Sequence, residues 1–321
     1  MADPALVPWA LSALFNHRAV ASEAAGGTVF VFPGHGSRWM DMAIDLMSSA
    51  PAFADEMSAC DAAFREHTDR SLLGVIADGP ESWNSFDMSH ALSFAVMVSL
   101  AAHWRQLDVH PDAVLGHAHG EIAAAYVAGG LTLPDAINVV AQRGSAVNAA
   151  ASTGGMVAIG WPAERVLAFV ERWDQSVSVA AYNGPSSTVV TGSAAVIDEL
   201  MAAATRDNVR AARIPAEFAL HSAQLDELRT ALRESLADIR PRSADVTFIS
   251  SVTGAALDTS ILDADYWFAN LAQPVLFEQA VQWSHQHGYH TFIEVCPDPE
   301  LIGDIRESLN EHSIRAPVEA Q

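Results

Sequence analysis

The residues best placed to do chemistry lie in the turn Gly116-His117-Ala118-His119-Gly120. The run 112–115 before this turn, apolar from Ala113 onward, predicts a short buried strand, and the alanine-rich run 121–128 after it predicts a helix. A sharp strand-to-helix turn lifts its central side chain above the sheet and directs backbone N–H groups toward a developing oxyanion. That arrangement suits nucleophilic acyl chemistry. A plain turn whose glycines allow close packing is the alternative interpretation.

Two further side chains could complete such a site. His221 could act as a general base, although a single histidine more often caps a helix or lies in a core. Arg143, in a helix predicted over 134–151, could pair with a carboxylate through its planar guanidinium, or could lie at the surface. The loop Pro33-Gly34-His35-Gly36 follows a strand predicted over 28–32 and could equally be an ordinary connection. No single one of these residues decides the chemistry.

Composition and charge exclude several classes of function. The formal net charge is −22, which argues against nucleic acid or an anionic membrane surface as a partner. The chain contains no lysine, so an anion bound here would be bound by arginine. No apolar run reaches about 18 residues, and the N-terminus lacks the basic start and apolar stretch of a signal peptide. We therefore expect a cytoplasmic protein with no membrane partner.

The cysteine and histidine patterns point away from a metal centre. Cys60 and Cys296 lie far apart in the sequence, which predicts neither a zinc site nor a disulfide framework. The 13 histidines are mostly isolated, and the group His285, His287 and His290 has no carboxylate or cysteine at ligand spacing. We interpret this group as a solvated helix end and expect no metal and no covalently bound cofactor.

The elements that would hold the turn in place predict an α/β fold. Helices are expected over 5–24, 40–66, 89–106 and 134–151. After residue 153 the sequence predicts strands over 156–160, 177–182, 188–191 and 210–214, with helices over 163–173 and 194–206. This βαββαβ order suggests a small ferredoxin-like subdomain. The chain then continues through a helix over 221–237, a strand over 246–251, a helix over 274–287 and a strand over 291–295.

These patterns divide the chain into three parts. Residues 1–27 are expected to form a linker-like helix. Residues 28–152 and 212–310 are expected to form a large subdomain of the α/β-hydrolase type that carries the nucleophile elbow. Residues 153–211 are expected to form the inserted small subdomain.

Five segments, in this order, resemble the malonyl-CoA:acyl carrier protein transacylases and the acyltransferase domains of polyketide synthases. The family's FPGQGS loop is similar to 32–37, its GHSxGE elbow to 116–121, its arginine segment to 140–145, its histidine motif to 218–221, and its late YW…NL..PV segment to 266–275. The resemblance runs from about residue 28 to residue 305. Residues 5–24 resemble the linker that precedes such domains in modular synthases.

The resemblance implies a ping-pong acyl transfer. A serine in the elbow attacks an acyl thioester, and the thiol of a carrier protein then takes the acyl group. In this chain Ala118 occupies the serine position, and His221 would be the base. The backbone N–H groups of His35 and His119 would hold the oxyanion, and Arg143 would bind the free carboxylate of a malonyl-type acyl group.

The resemblance also implies supporting residues and partners. Asn270 is expected to orient His221 or the acyl chain, and His117 and His90 are expected to support the site. The expected substrates are acyl-CoA and the phosphopantetheine arm of a carrier protein. The expected partner is an acyl carrier protein.

The chain departs from the family pattern at several positions. Ala118 is decisive, because a methyl group cannot attack a thioester and the loss of a nucleophile costs several orders of magnitude in rate. His35 and His90 stand where the family usually has glutamine, and Asp298 stands where it usually has histidine. The run Phe218-Ala219-Leu220 matches neither the HAFH motif of malonyl enzymes nor the YASH motif of methylmalonyl enzymes. We therefore expect these three residues to set an unusual acyl specificity.

Two origins of Ala118 stay open. One is an introduced Ser→Ala replacement that traps a complex, and the other is natural loss of activity. The retention of His221, Arg143, Asn270 and Glu121 favours the introduced replacement. Two other functions on the same fold also stay open, an editing thioesterase that hydrolyses acyl carrier proteins and a non-catalytic scaffold that binds the carrier protein.

Overall fold

The turn at 116–120 lies at the end of a central strand in a six-stranded sheet. The computed structural model describes residues 19–21, 26–34, 40–79, 85–149, 154–214, 219–296 and 299–315. The strands of this described part are β1 (Ala19–Ala21), β2 (Gly27–Phe32), β3 (Ala113–Gly116), β4 (Gly154–Ile159), β5 (Val177–Gly184), β6 (Ser187–Ser193), β7 (Ala211–Ile214), β8 (Thr247–Ser250), β9 (Ala255–Leu257) and β10 (Tyr289–Glu294).

Twelve α-helices surround the strands in the same described ranges. They are α1 (Met40–Ser49), α2 (Pro51–Phe64), α3 (Leu72–Asp78), α4 (Phe86–Gln106), α5 (Gly120–Ala128), α6 (Leu133–Ala149), α7 (Ala163–Val170), α8 (Ala194–Arg206), α9 (Arg229–Ser235), α10 (Ala264–Ala272), α11 (Phe277–Gln286) and α12 (Ile302–Arg315). Short 3₁₀ helices span Glu171–Ser176, Ala223–Leu228 and Thr259–Ile261. None of these helices combines the length and apolar composition needed to cross a membrane.

The large sheet has the strand order β1-β10-β2-β3-β8-β9. Strands β10, β2, β3 and β8 are parallel, and both edge strands are antiparallel. A parallel strand is covered on both faces, which explains why residues 29–32 are apolar without alternation and all buried. Phe32 pairs with Gly116, so β2 and β3 end side by side. The loop after β2 therefore lies against the turn after β3.

Helices α4 and α5 form the apolar layer behind the turn. Helix α4 packs against α2 and α6. Every residue from Ala91 to Ala101 in it is buried, which accounts for its strongly apolar sequence. Helix α5 ends at Ala128 and is followed by Gly129, whose φ of 92° is the left-handed conformation that glycine adopts at helix ends.

A second, antiparallel sheet has the order β5-β6-β4-β7. Helices α7 and α8 cover one of its faces, where Val157, Phe169 and Ile197 share a core. The other face contributes Ala180 and Val189 to the core that also contains Ala118. This βαββαβ unit is the small subdomain expected from the sequence, and the α/β fold with two subdomains is confirmed. Its sheet extends to Ile214, beyond the expected boundary at 211.

Four predicted helices differ from the structure. The helix expected over 5–24 is wrong at Ala19–Ala21, which pair with β10 as strand β1, and 5–18 and 22–24 lie outside the described residues. The helix expected over 40–66 is two helices, because Pro51 has no N–H to continue the first and begins the second.

The helix expected over 221–237 is also wrong at its start. His221 has a φ of 55°, which lies outside the right-handed helical region, and Ser222 is extended. A 3₁₀ helix and α9 follow them.

The helix expected over 274–287 begins at Phe277, since Val275 instead forms a bridge to Ala181 of the small sheet. The short elements α3 and β9 were not predicted.

Candidate active site

The turn after β3 has the geometry of a nucleophile elbow. Its central residue, Ala118, has a φ of 49°, a conformation that residues with a side chain rarely adopt. A Cβ on Gly116 would lie 2.2 Å from the backbone of Glu121, and one on Gly120 would lie 2.0 Å from the carbonyl oxygen of Phe32. Both flanking positions therefore require glycine. The strained centre favours the elbow over a plain turn.

The loop after β2 closes one side of this elbow. A Cβ built on Gly34 would lie 3.7 Å from the Cβ of Ala118 and 3.1 Å from the carbonyl oxygen of His117. His117 also donates its backbone N–H to the carbonyl oxygen of Phe32 at 2.8 Å. His35, whose backbone N–H is expected to hold the oxyanion, lies outside the described residues, so this role stays a prediction.

His221 is buried and held at both its backbone and its ring by the end of α10. Its backbone N–H donates to the carbonyl oxygen of Leu271 at 3.1 Å, and ring Nδ1 donates to the carbonyl oxygen of Gln273 at 2.7 Å. Burial lowers the pKa of His221 to about 3, and the positive charge of Arg143 contributes in the same direction. The imidazole is therefore neutral at pH 7. With its proton on Nδ1, the ring leaves Nε2 as the basic atom.

Arg143 is buried and joined to the elbow through Asn270. Its Nη1 donates to Asn270 Oδ1 at 2.7 Å, and Asn270 Nδ2 donates to the carbonyl oxygen of Ala118 at 3.0 Å. Burial lowers the pKa of the guanidinium to about 10, partly offset by the negative charge of Glu121, so Arg143 stays protonated at pH 7. We expected Asn270 to orient His221 or the acyl chain. Its side chain bonds Arg143, the elbow and Glu121, and the next residue, Leu271, accepts the backbone N–H of His221. The role expected for Asn270 stays a prediction.

The side chains on either side of Ala118 are engaged elsewhere. His117 Nε2 donates to Asn183 Oδ1 of β5 at 2.8 Å. His119 Nε2 donates to the carbonyl oxygen of His90 at 2.9 Å, and the two rings meet edge to face with centroids 4.5 Å apart. These contacts place His117 and His90 next to the elbow, and the supporting role expected for them stays a prediction. The oxyanion role of the His119 backbone N–H stays a prediction.

The residues before His221 are only partly described. Ala219 is buried, and Leu220 is half-buried against the core of the large subdomain. The backbone of Gly154, at the start of β4, lies so close that a Cβ there would be 2.3 Å from the Ala219 nitrogen. Phe218 and Asp298 lie outside the described residues. The specificity role expected for 218–220 stays a prediction.

The sequence did not assign roles to several residues that the site uses. Glu121 is fully buried and accepts hydrogen bonds from Ser251, Tyr266 and Asn270. Glu121 and Tyr266 lie in segments that resemble the family motifs, so the sequence could have indicated them. Gln273 takes part through its backbone carbonyl oxygen, which no sequence pattern reveals. Among the described residues, no group of three histidine, cysteine or acidic side chains could hold a metal ion.

The chain is similar to acyltransferases in its sequence. The profile of the acyl transferase domain family matches residues 29–319. Mycoketide-CoA synthase of Mycobacterium tuberculosis (strain ATCC 25618 / H37Rv) is 47% identical over 287 residues, which are 89% of this chain and 7% of that protein. Erythronolide synthase EryA2 of Saccharopolyspora erythraea is 42% identical over 287 residues, 89% of this chain and 8% of that protein. The chain thus spans less than a tenth of the length of these curated relatives.

Solved structures show the same similarity. The acyltransferase domain from module 8 of the salinomycin polyketide synthase is 41% identical with a TM-score of 0.86, covering 90% of this chain and 70% of that chain.

Proposed function

The chain belongs to the acyltransferase domains of polyketide synthases, and from this premise we propose that its site transfers a carboxylated acyl group from a CoA thioester to an acyl carrier protein. The observation that carries the proposal is the buried Arg143, hydrogen-bonded to Asn270, which itself bonds the elbow at Ala118. A buried guanidinium beside an acyl-transfer site suits a carboxylate, which it can bind with two parallel hydrogen bonds.

The chemistry requires serine at position 118. His221 Nε2 would take the proton of the serine hydroxyl as its oxygen attacks the thioester carbonyl carbon. The backbone N–H groups of His35 and His119 would stabilise the oxyanion. As the tetrahedral intermediate collapses, the C–S bond breaks and the proton on His221 passes to the leaving CoA thiolate. In the second step the phosphopantetheine thiol of the carrier protein would give its proton to His221 and attack the carbonyl carbon of the acyl-serine ester. The ester C–O bond would then break, and His221 would return the proton to the serine oxygen.

With Ala118 the same site would bind an acyl thioester but form no acyl-enzyme. Removal of a serine nucleophile lowers the rate by several orders of magnitude. The oriented neutral His221 and the Arg143–Asn270 pair support an introduced Ser→Ala replacement in an otherwise assembled site, rather than natural loss.

Restoration of the nucleophile tests the proposal. Ala118→Ser should gain the mass of one acyl group on incubation with a malonyl-type CoA, as measured by intact-protein mass spectrometry. The matched control, Ala118→Ser with His221→Asn, should acylate at least about a hundredfold more slowly, because it lacks the general base. With an added carrier protein, the acyl group should appear on the carrier; release as free acid would indicate a thioesterase. Failure of Ala118→Ser to acylate with any malonyl-type CoA would refute the proposal.

A further inference from the structure

Glu121 is a buried carboxylate that the proposed reaction does not use. It is fully inaccessible to solvent in the second position of α5, directly behind the elbow. Its Oε1 accepts hydrogen bonds from the backbone N–H and the hydroxyl of Ser251, the latter at 2.8 Å. Its Oε2 accepts from the Tyr266 hydroxyl at 2.5 Å and from Asn270 Nδ2 at 3.0 Å. All four partners are donors, which matches an ionised carboxylate.

Two opposing effects act on the charge of the buried Glu121 carboxyl group. Burial raises the pKa of the Glu121 carboxyl above its ordinary value, and the hydrogen bonds from Tyr266, Ser251 and Asn270 offset this only in part. A buried carboxylate is costly unless it is paired or fully hydrogen-bonded. The nearby positive charge is Arg143, which Glu121 reaches only through the amide of Asn270.

The amide of Asn270 has two chemically different ends, and Glu121 determines which end faces Arg143. Its NH₂ group has two acceptors, Glu121 Oε2 and the carbonyl oxygen of Ala118. Its oxygen accepts from Arg143 Nη1 at 2.7 Å. A flipped amide would place NH₂ donors against the guanidinium and an oxygen against the carboxylate. Glu121 thus keeps an acceptor in front of Arg143.

We propose that Glu121 is a positioning residue that, through Asn270, presents the Arg143 guanidinium to the carboxylate of the acyl group and so selects carboxylated acyl thioesters. This inference rests on the proposed function. The guanidinium, anchored at Nη1, keeps further N–H donors in its planar fork for the carboxylate. The contact from Asn270 to the carbonyl oxygen of Ala118 fixes the same amide relative to the elbow.

Equilibrium binding to the chain with Ala118 tests the inference without turnover. Calorimetric titration should show malonyl-CoA or methylmalonyl-CoA binding more tightly than acetyl-CoA. Glu121→Gln should weaken binding of the carboxylated ligand by about tenfold and that of acetyl-CoA by less than about twofold, since coupled residues typically interact at this level. A purely structural role would weaken both ligands equally.

A matched control and a milder variant accompany this test. Glu294 is equally buried, and its carboxylate accepts backbone N–H groups at 300–302. Glu294→Gln should lower stability and leave the ligand ratio unchanged. Tyr266→Phe removes one hydrogen-bond donor from Glu121 but keeps the negative charge of the carboxylate. It should lower the ratio of the two ligand affinities by about threefold. This variant replaces Glu121→Gln as the test if Glu121→Gln does not fold.

Two outcomes would overturn the inference. One is an unchanged affinity ratio in Glu121→Gln, or in Tyr266→Phe if the first variant is unfolded. The other is a parent chain that binds carboxylated acyl-CoA no more tightly than acetyl-CoA. The proposed function fails separately, when Ala118→Ser forms no acyl-enzyme even though binding discriminates between the ligands.

Discussion

Acidification should reveal the burial of His221 as a loss of stability. Its pKa is about 3 in the folded chain, against an ordinary value of 6.5. As the pH falls through about 6.5, the unfolded chain binds a proton at this histidine and the folded chain does not, so stability is lost. The loss continues at about 1.4 kcal/mol per pH unit until the pH approaches the folded pKa.

One variant separates the contribution of His221 to this loss of stability from that of other groups. Between pH 7.5 and pH 4.5, His221 alone should lower the free energy of unfolding by about 2.6 kcal/mol. His221→Asn removes the titration while its amide can still donate to the Gln273 carbonyl oxygen. All other groups titrate in both proteins. The difference between the two proteins in how the free energy of unfolding depends on pH is therefore the contribution of His221.

Urea denaturation of both proteins at a series of pH values provides the measurement. The parent should lose about 2.6 kcal/mol more than His221→Asn across this range. A difference below about 0.5 kcal/mol would show that the histidine accepts a proton in the folded state at an ordinary pH. That result would refute both its burial and its role as a neutral base held by Gln273.

Two further predictions concern the elbow and the arginine. Gly120→Ala should destabilise the chain by at least about 3 kcal/mol in urea denaturation, because its Cβ would lie 2.0 Å from the Phe32 carbonyl oxygen. The matched control Gly303→Ala, where a Cβ in α12 meets nothing within 4 Å, should stabilise by about 0.5–1 kcal/mol; equal effects would contradict the packing argument. In the Ala118→Ser background, Arg143→Lys should slow self-acylation by malonyl-CoA about tenfold more than by acetyl-CoA, because lysine lacks the planar fork. Equal slowing, measured by intact mass, would argue against carboxylate recognition.

The sequence predicted the parts of the fold that are encoded locally. The elbow follows from a short apolar strand, two glycines and an alanine-rich helix within about ten residues. The βαββαβ order of the small subdomain likewise follows from periodicity. The start of the 221–237 helix was wrong because the left-handed conformation of His221 depends on its contacts with the distant segment 271–273.

The chemistry of the site was predictable only in part. His221 and Arg143 stood out through the family resemblance, since each is unremarkable as a single residue. Glu121 contacts residues about 130 to 149 positions later in the chain, and no sequence pattern shows those contacts. Gln273 contributes a carbonyl oxygen, which every residue type possesses.

A bridge to the small sheet lies close in sequence to the residue that holds the His221 ring. Val275 donates its N–H to the carbonyl oxygen of Ala180, and Tyr182 donates to the carbonyl oxygen of Val275, both at 2.9 Å. The acceptor of the His221 ring, Gln273, lies only two residues earlier. Any displacement of the small sheet that preserves these two hydrogen bonds would therefore also move the segment that holds the His221 ring.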